Sequence, residues 1–188
     1  MGLDMYLEKF PSMGLEPRTF NAVNAFVRWV NGGREYSFSE YSGYNERNLP
    51  DTATLVKLLG MLRQTYYAWD VDKRFPQDSI SEQVGYWRKA NAIHKWFVEN
   101  VQDGEDDCDY HRTVTKNDVE TLFELCREVL ADHTKACKLL PVESGFFFGS
   151  QLYDEWYFKS IEYTAELCER LINDFDFENY DLYYLSSW

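Results

Sequence analysis

Residues 3–10 read Leu-Asp-Met-Tyr-Leu-Glu-Lys-Phe. Leu3, Met5 and Leu7 alternate with Asp4, Tyr6 and Glu8, the period-two pattern of a strand with one buried face and one wet face. A second candidate strand, Tyr180–Leu185, lies at the far end of the chain. The long periodic segments between these ends are helical. Helices with a few separated strands predict an α+β fold rather than a βαβ array. We expect four or five helices on a small, mostly antiparallel sheet, in its simplest form pairing the two chain ends.

Working inward, Pro11, Gly14 and Pro17 break the chain. Thr19 is placed to cap a helix with Phe20, Val23, Val27 and Val30 on its apolar side, stopped by Asn31-Gly32-Gly33. Residues 34–50 read as a loop, and Pro50-Asp51 opens a helix carrying Leu55, Leu58, Leu59 and Leu62. Residues 65–71 suit either a strand or an extension of that helix. A short strand is expected at 80–86, then a helix from Tyr86 to Val101. Residues 102–110 form an acidic loop and His111–Val114 a possible strand. Thr115, with Asp118 three residues on, has the spacing of a helix start. Ser144–Ser150 (SGFFFGS) is an aromatic segment bracketed by glycines, and Tyr153–Asn173 is a long helix. A chain of 188 residues can bury roughly 70% of its unfolded surface, so one globular domain over 1–188 is expected.

The chain carries 32 acids and 19 bases, a net charge of −13. Residues 1–100 hold 12 bases and 12 acids, whereas residues 101–188 hold 7 bases and 20 acids. The excess therefore belongs to the C-terminal part. One concentration is Asp103, Glu105, Asp106, Asp107 and Asp109; the other runs from Asp154 to Asp181. The second is interleaved with Trp156, Tyr157, Phe158, Ile161 and Leu167, which are expected to be packed. This balance argues against direct nucleic-acid binding and against anionic membranes, both driven by positive charge. No apolar run approaches a membrane span, and the N-terminus lacks signal-peptide features. A cytoplasmic protein with buried, reduced thiols at Cys108, Cys126, Cys137 and Cys168 is expected.

Candidate chemistry mostly fails on spacing. Cys108-x2-His111 and His133-x3-Cys137 are suitable zinc ligands in type, but the gap between the halves spans a strand and a helix. The run from Asp103 lacks the glycine at position six and the glutamate at position twelve of a calcium loop. No G-x-S-x-G elbow is present. The acids around Cys108 are expected to weaken a thiolate. Gly145-x3-Gly149-Ser150 lacks the phosphate-loop lysine, and Asp154 and Glu155 oppose phosphate at the following helix start. His94 reads as a satisfied, partly buried histidine. No sequence pattern picks out a carboxylate pair for glycoside hydrolysis. No metal and no cofactor are expected, and the balance leans away from an enzyme.

Tyr86-Trp87-Arg88-Lys89 is the one basic, aromatic cluster. Cations at a helix start oppose the macrodipole, so a compensating partner is expected. It is either the acidic C-terminal part of the chain or an anionic small molecule. In the second case Trp87, Arg88, Lys89 and Phe147 of the GFFFG segment would line a pocket.

The stretches Met1–Leu7 (MGLDMYL), Tyr86–Cys108 (YWRKANAIHKWFVENVQDGEDDC) and Leu140–Phe158 (LPVESGFFFGSQLYDEWYF) together resemble a family of small, uncharacterised phage and prophage proteins. The landmarks span the chain, apart from the region between Phe10 and Gln83. The resemblance implies a virus-encoded accessory protein in the bacterial cytoplasm, and it supplies no catalytic residues. The leading expectation is a non-enzymatic acidic protein that inhibits a host defence or nucleic-acid-handling protein with a basic surface. Its contact residues would be Asp103, Glu105, Asp106, Asp107 and Asp109. The alternatives are a small-molecule or nucleotide binder, or an enzyme, with a pocket near Trp87, Arg88 and Lys89 and the GFFFG segment, and a phage structural or assembly protein. Oligomeric state is left open.

Overall fold

The computed structural model describes residues 2–31, 49–64, 81–108, 111–145 and 148–188. The elements run β1 (Asp4–Pro11), α1 (Pro17–Asn31), α2 (Thr52–Gln64), β2 (Glu82–Arg88), α3 (Asn91–Asn100), β3 (Arg112–Val114), α4 (Lys116–Ala131), a 3-10 turn (His133–Lys135), α5 (Ala136–Leu139), α6 (Glu155–Asp174) and β4 (Tyr180–Ser187). The fold is α+β, with helices packed with a four-stranded antiparallel sheet. The strand order β2-β1-β4-β3 places β1 and β4, from opposite chain ends, side by side at its centre. The chain gathers into two compact units, Met1–Lys9 with Gln83–Trp188, and Phe10–Glu82.

In the larger unit the alternation at residues 3–10 orients the sheet. Leu3, Met5 and Leu7 are buried, as are Trp87 on β2, Val114 on β3, and Leu182 and Tyr184 on β4. Register follows this pattern: Val114 stands opposite Leu182, and Arg112 opposite Tyr184. A one-residue slip would turn every one of these side chains to the other face. Gly85 occupies β2 where α6 presses closest. A Cβ built there would lie 2.6 Å from Leu167 Cδ2, so no larger residue fits without displacing that leucine. Helices α4 and α6 pack along one another, burying Val119, Leu122, Cys126 and Val129 against a core shared with Ile161, Cys168 and Leu171.

Helix starts are set by side-chain caps. Thr115 and Asp118 form the expected capping box, with Asp118 Oδ2 accepting from the Thr115 N–H at 2.8 Å and Thr115 Oγ1 accepting from the Asp118 N–H at 3.2 Å. Asp154 accepts from the N–H groups of Trp156 and Tyr157, each at 3.0 Å. In the smaller unit Asp51 does the same for α2 through Ala53 and Thr54. There α1 buries Phe20, Val23 and Val27, and the rings of Phe10 and Phe20 meet at 5.0 Å.

Two boundaries differ from the sequence reading. The helix expected over 86–101 begins at Asn91, because Tyr86, Trp87 and Arg88 belong to β2. Trp87 points into the core while Tyr86 and Arg88 face out, so the aromatic run obeys the strand period. Lys89 then turns the chain with a left-handed φ of 57°, which no helix interior tolerates. Arg88 and Lys89 therefore lie outside α3. The described part of the GFFFG segment, Gly145, Phe148 and Gly149, carries no strand. Residues 65–71, most of the 34–50 loop, and Asp109 and Phe147 of the expected sites lie outside the described residues. No described helix is long and apolar enough to cross a membrane.

Candidate functional site

Among the described residues two pockets lie on the larger unit, one lined in part by Gly149 and Ser150 and the other by Glu143, Ser144, Gly145 and Phe148. The first opens where β2 ends. Its volume is about 610 Å³, and its wall includes Trp87, Arg88, Lys89, Trp156, Lys159 and Tyr163. The expected cluster Trp87-Arg88-Lys89 is thus brought to one pocket with residues of α6. Trp87 is part of the buried wall: its Nε1–H donates to Thr164 Oγ1 at 2.8 Å, and its ring meets Tyr163 edge-on at 5.9 Å. Trp156, expected to be packed, is instead 75% exposed. It lies on the outer side of α6, where Lys159 stands 5.0 Å over its ring.

The cations here differ in how they are held. Lys159 pairs with Glu155 at 2.6 Å. Arg88 and Lys89 make no ion pair with a described carboxylate, so the expected intramolecular partner is not supplied by the acidic C-terminal part among the described residues. The Tyr86 hydroxyl donates to Asp4, and this bond, ahead of burial, raises the Tyr86 phenol above its usual range. Lys89 is fixed by backbone. Its N–H donates to Leu3 O at 2.8 Å, and Gly149 (φ 92°) packs against it so closely that an added Cβ would lie 3.0 Å from Lys89 Cβ. The second glycine of the GFFFG segment therefore serves a protein contact, seating the lysine at the pocket. A non-glycine residue held left-handed costs about 1 kcal/mol or more, and the structure maintains it here.

Asn91 organises the same place, and nothing in the sequence marked it. It is buried, its Nδ2 donates to Phe148 O (3.1 Å) and Ser150 O (2.8 Å), and its Oδ1 accepts from the Glu143 N–H (3.2 Å). One side chain thereby holds backbone groups of Ser150, which lines the first pocket, and of Glu143 and Phe148, which line the second. Asp154, also at the first pocket, is committed to its helix cap. The Tyr157 N–H is the largest influence holding its carboxyl below the usual range. With those donors filled, the start of α6 offers no phosphate site, as its acids led us to expect.

The second pocket, about 470 Å³, adjoins the acidic loop and is lined by His94, Asp106, Glu143, Phe148 and Trp188 among others. His94 is fully buried rather than at an edge. Its Nδ1 lies 2.7 Å from the Tyr184 hydroxyl and its Nε2 3.2 Å from Asp106 Oδ2. Tyr184 donating to Nδ1, with Nε2–H donating to Asp106, satisfies all three groups. The other oxygen of Asp106 accepts from Trp188 Nε1 at 3.2 Å. Burial, reinforced by Asp106, pushes the Tyr184 phenol well above its usual range. Every polar atom of this chain is engaged within it.

The acidic loop is accordingly divided. Asp106 turns inward, and Asp107 lies 3.7 Å from Arg112. Asp103 and Glu105 are exposed and make no ion pair with a described residue. Cys108 is held above the usual thiol range by burial first and by Asp106 and Asp107 after it, so it is a poor nucleophile. The zinc quartet does not assemble: His111 bonds Glu8 at 3.2 Å, and His133 stacks on Phe158 at 3.8 Å. Among the described residues no three His, Cys, Asp or Glu side chains converge on a common point. All four cysteines are free, but only Cys126 and Cys168 are buried as expected, while Cys108 is half-buried and Cys137 exposed; burial pushes Cys168 up to about 12. The chain matches no protein-family model, no curated protein and no solved structure.

Proposed function

We propose that this chain is a binding protein whose pocket at the end of β2 takes an anionic small molecule carrying a planar ring, with a nucleotide as the leading class. One observation carries this reading. In a chain of net charge −13, Arg88 and Lys89 line an aromatic pocket and make no ion pair with any described carboxylate. An unpaired guanidinium and ammonium beside Trp156 and Tyr163 supply an anion clamp and a stacking surface together. The acids elsewhere do little to oppose the ligand, since salt screens exposed charges beyond about 8 Å. No histidine lines this pocket, and Ser150 is used in the Asp154 cap at 3.1 Å, so the reading is binding rather than catalysis.

The test is a melting-shift and calorimetric panel of nucleotides on the protein and on Arg88→Ala and Trp156→Ala. Both side chains face solvent, so the variants should fold. Binding should weaken roughly tenfold on loss of either group, the scale of one charge-assisted contact or one stacked ring. A panel with no binder, or one bound equally by Arg88→Ala, overturns the proposal.

A second reading keeps the acidic surface as the contact with a basic host protein, as inhibitory phage accessory proteins would use it. Its support is that Asp103 and Glu105 project freely beside the inward-turned Asp106. Reversing both charges leaves the internal network intact. If capture of a bacterial host protein and its salt dependence survive that reversal, this reading fails.

A further inference from the structure

The pocket beside the acidic loop has a chemistry opposite to that of the first. Its aromatic walls are Phe148 and Trp188, with ring centroids 6.0 Å apart at 73°, and His94 meets Phe148 edge-on at 5.0 Å behind them. Trp188 is about half exposed and Phe148 nearly buried, so one ring faces the opening and the other forms a wall. Two carboxylates reach the pocket from distant parts of the chain, Asp106 and Glu143, and no lysine or arginine is among its described lining residues.

We infer that this pocket binds an organic cation, an alkylammonium or guanidinium head. Aromatic faces attract such a cation through their quadrupoles, and more strongly when it is desolvated. The carboxylates supply the opposite charge. The state of Asp106 distinguishes an organic cation from a metal ion. Both its oxygens already accept hydrogen bonds, from His94 and from Trp188, so it contributes field rather than a coordination bond. A calcium ion needs six to eight oxygen ligands, and the described residues present no cluster of that kind. An alkylammonium needs no such shell. It needs rings, nearby negative charge and space, and a cavity of about 470 Å³ admits a small headgroup. The Glu143 side chain makes no hydrogen bond or ion pair among the described residues, while its backbone N–H is pinned by Asn91 at 3.2 Å. Its carboxylate is therefore positioned and uncommitted.

The site is separate from the anion pocket, with which it shares no described lining residue. The same headgroup can come from a free amine or from a cationic side chain of a protein. The experiment uses the full chain labelled with nitrogen-15 at tryptophan indoles, with the Trp188 resonance assigned from Trp188→Phe. Choline and agmatine are titrated beside 3,3-dimethylbutanol, the uncharged analogue of choline. The cations should shift the Trp188 indole saturably at millimolar concentration, and the neutral analogue should not. Glu143→Gln should weaken the response about fivefold, the scale of one half-buried charge contact. That substitution removes charge at constant shape and leaves the His94–Asp106–Tyr184 chain untouched. A trimethyllysine peptide that binds tighter than choline assigns the source to a protein side chain; equal binding assigns it to a free amine. No saturable shift, an equal shift with the neutral analogue, or unchanged binding in Glu143→Gln overturns the inference.

Discussion

The pocket at the end of β2 and the pocket beside the acidic loop are neighbours built from similar rings, yet they hold charge in different ways. In the first, Arg88 and Lys89 make no ion pair with a described carboxylate, and they are set out by strand geometry and by a left-handed residue packed on Gly149. In the second, Asp106 is locked into a chain with His94, Tyr184 and Trp188. The comparison teaches that a net charge of −13 says little about either place. What matters is which charged groups the fold has already used. An uncommitted cation among acids is a better mark of a ligand than an acid among acids, since solvated acidic faces are common on soluble proteins.

Asn91 lines the first pocket and bonds backbone groups of Glu143 and Phe148 in the second, so its removal should have the largest effect. Asn91→Ala loses three hydrogen bonds to residues 143–150 and leaves buried backbone groups unpaired. We expect a loss of about 3 kcal/mol in denaturant unfolding, with ligand responses falling at both pockets. If only one pocket suffers, the shared-segment picture is broken. Gly149→Ala should cost about 2 kcal/mol, because it combines a strained φ with a close approach to Lys89. Its functional effect should fall on the anion pocket first. Tyr184→Phe leaves His94 Nδ1 without its partner in the core, and should cost about 1–2 kcal/mol while sparing nucleotide binding.

Smaller effects sharpen the same contrast. Lys89→Gly removes the left-handed penalty but makes the unfolded chain more flexible, so stability should change by less than about 1 kcal/mol even as nucleotide affinity drops. Acid titration separates cap from pocket. Asp154 is held below the usual carboxyl range by its cap bonds. Its contribution is therefore present above the unfolded value and lost as pH falls through the lowered folded one. In Asp154→Asn that part of the acid dependence should flatten, as read from melting temperature against pH.

Much of the framework was legible because it is local. Leu3, Met5 and Leu7 announced their strand by alternation, and Thr115 with Asp118 announced a helix start by spacing. Tyr86-Trp87-Arg88 was misplaced at a helix start because a short apolar run reads with either period until its sheet partner is known. Trp156 was expected inside on hydrophobicity, although it lies in the first turn of α6, at the edge of the face that buries Tyr157, Ile161 and Leu167. The partners of His94 stand 12 and 90 residues away, and no periodicity links them. Asn91 is the clearest case. A lone asparagine carries no pattern, and its role appears only when the segment it pins is folded beside it. The candidate residues Arg88 and Lys89 were found by charge contrast; those that complete their pocket, Trp156, Lys159 and Tyr163, come from a helix about 70 residues further on.

The central claim is that one chain holds two pockets of opposite charge preference. A single indole-labelled sample, with Trp156 and Trp188 assigned, tests it directly by titration with adenosine monophosphate and then with choline. The account predicts that the nucleotide shifts Trp156 and leaves Trp188 in place, and that choline does the reverse. If either ligand shifts both indoles alike, or neither ligand shifts its own, the account is contradicted.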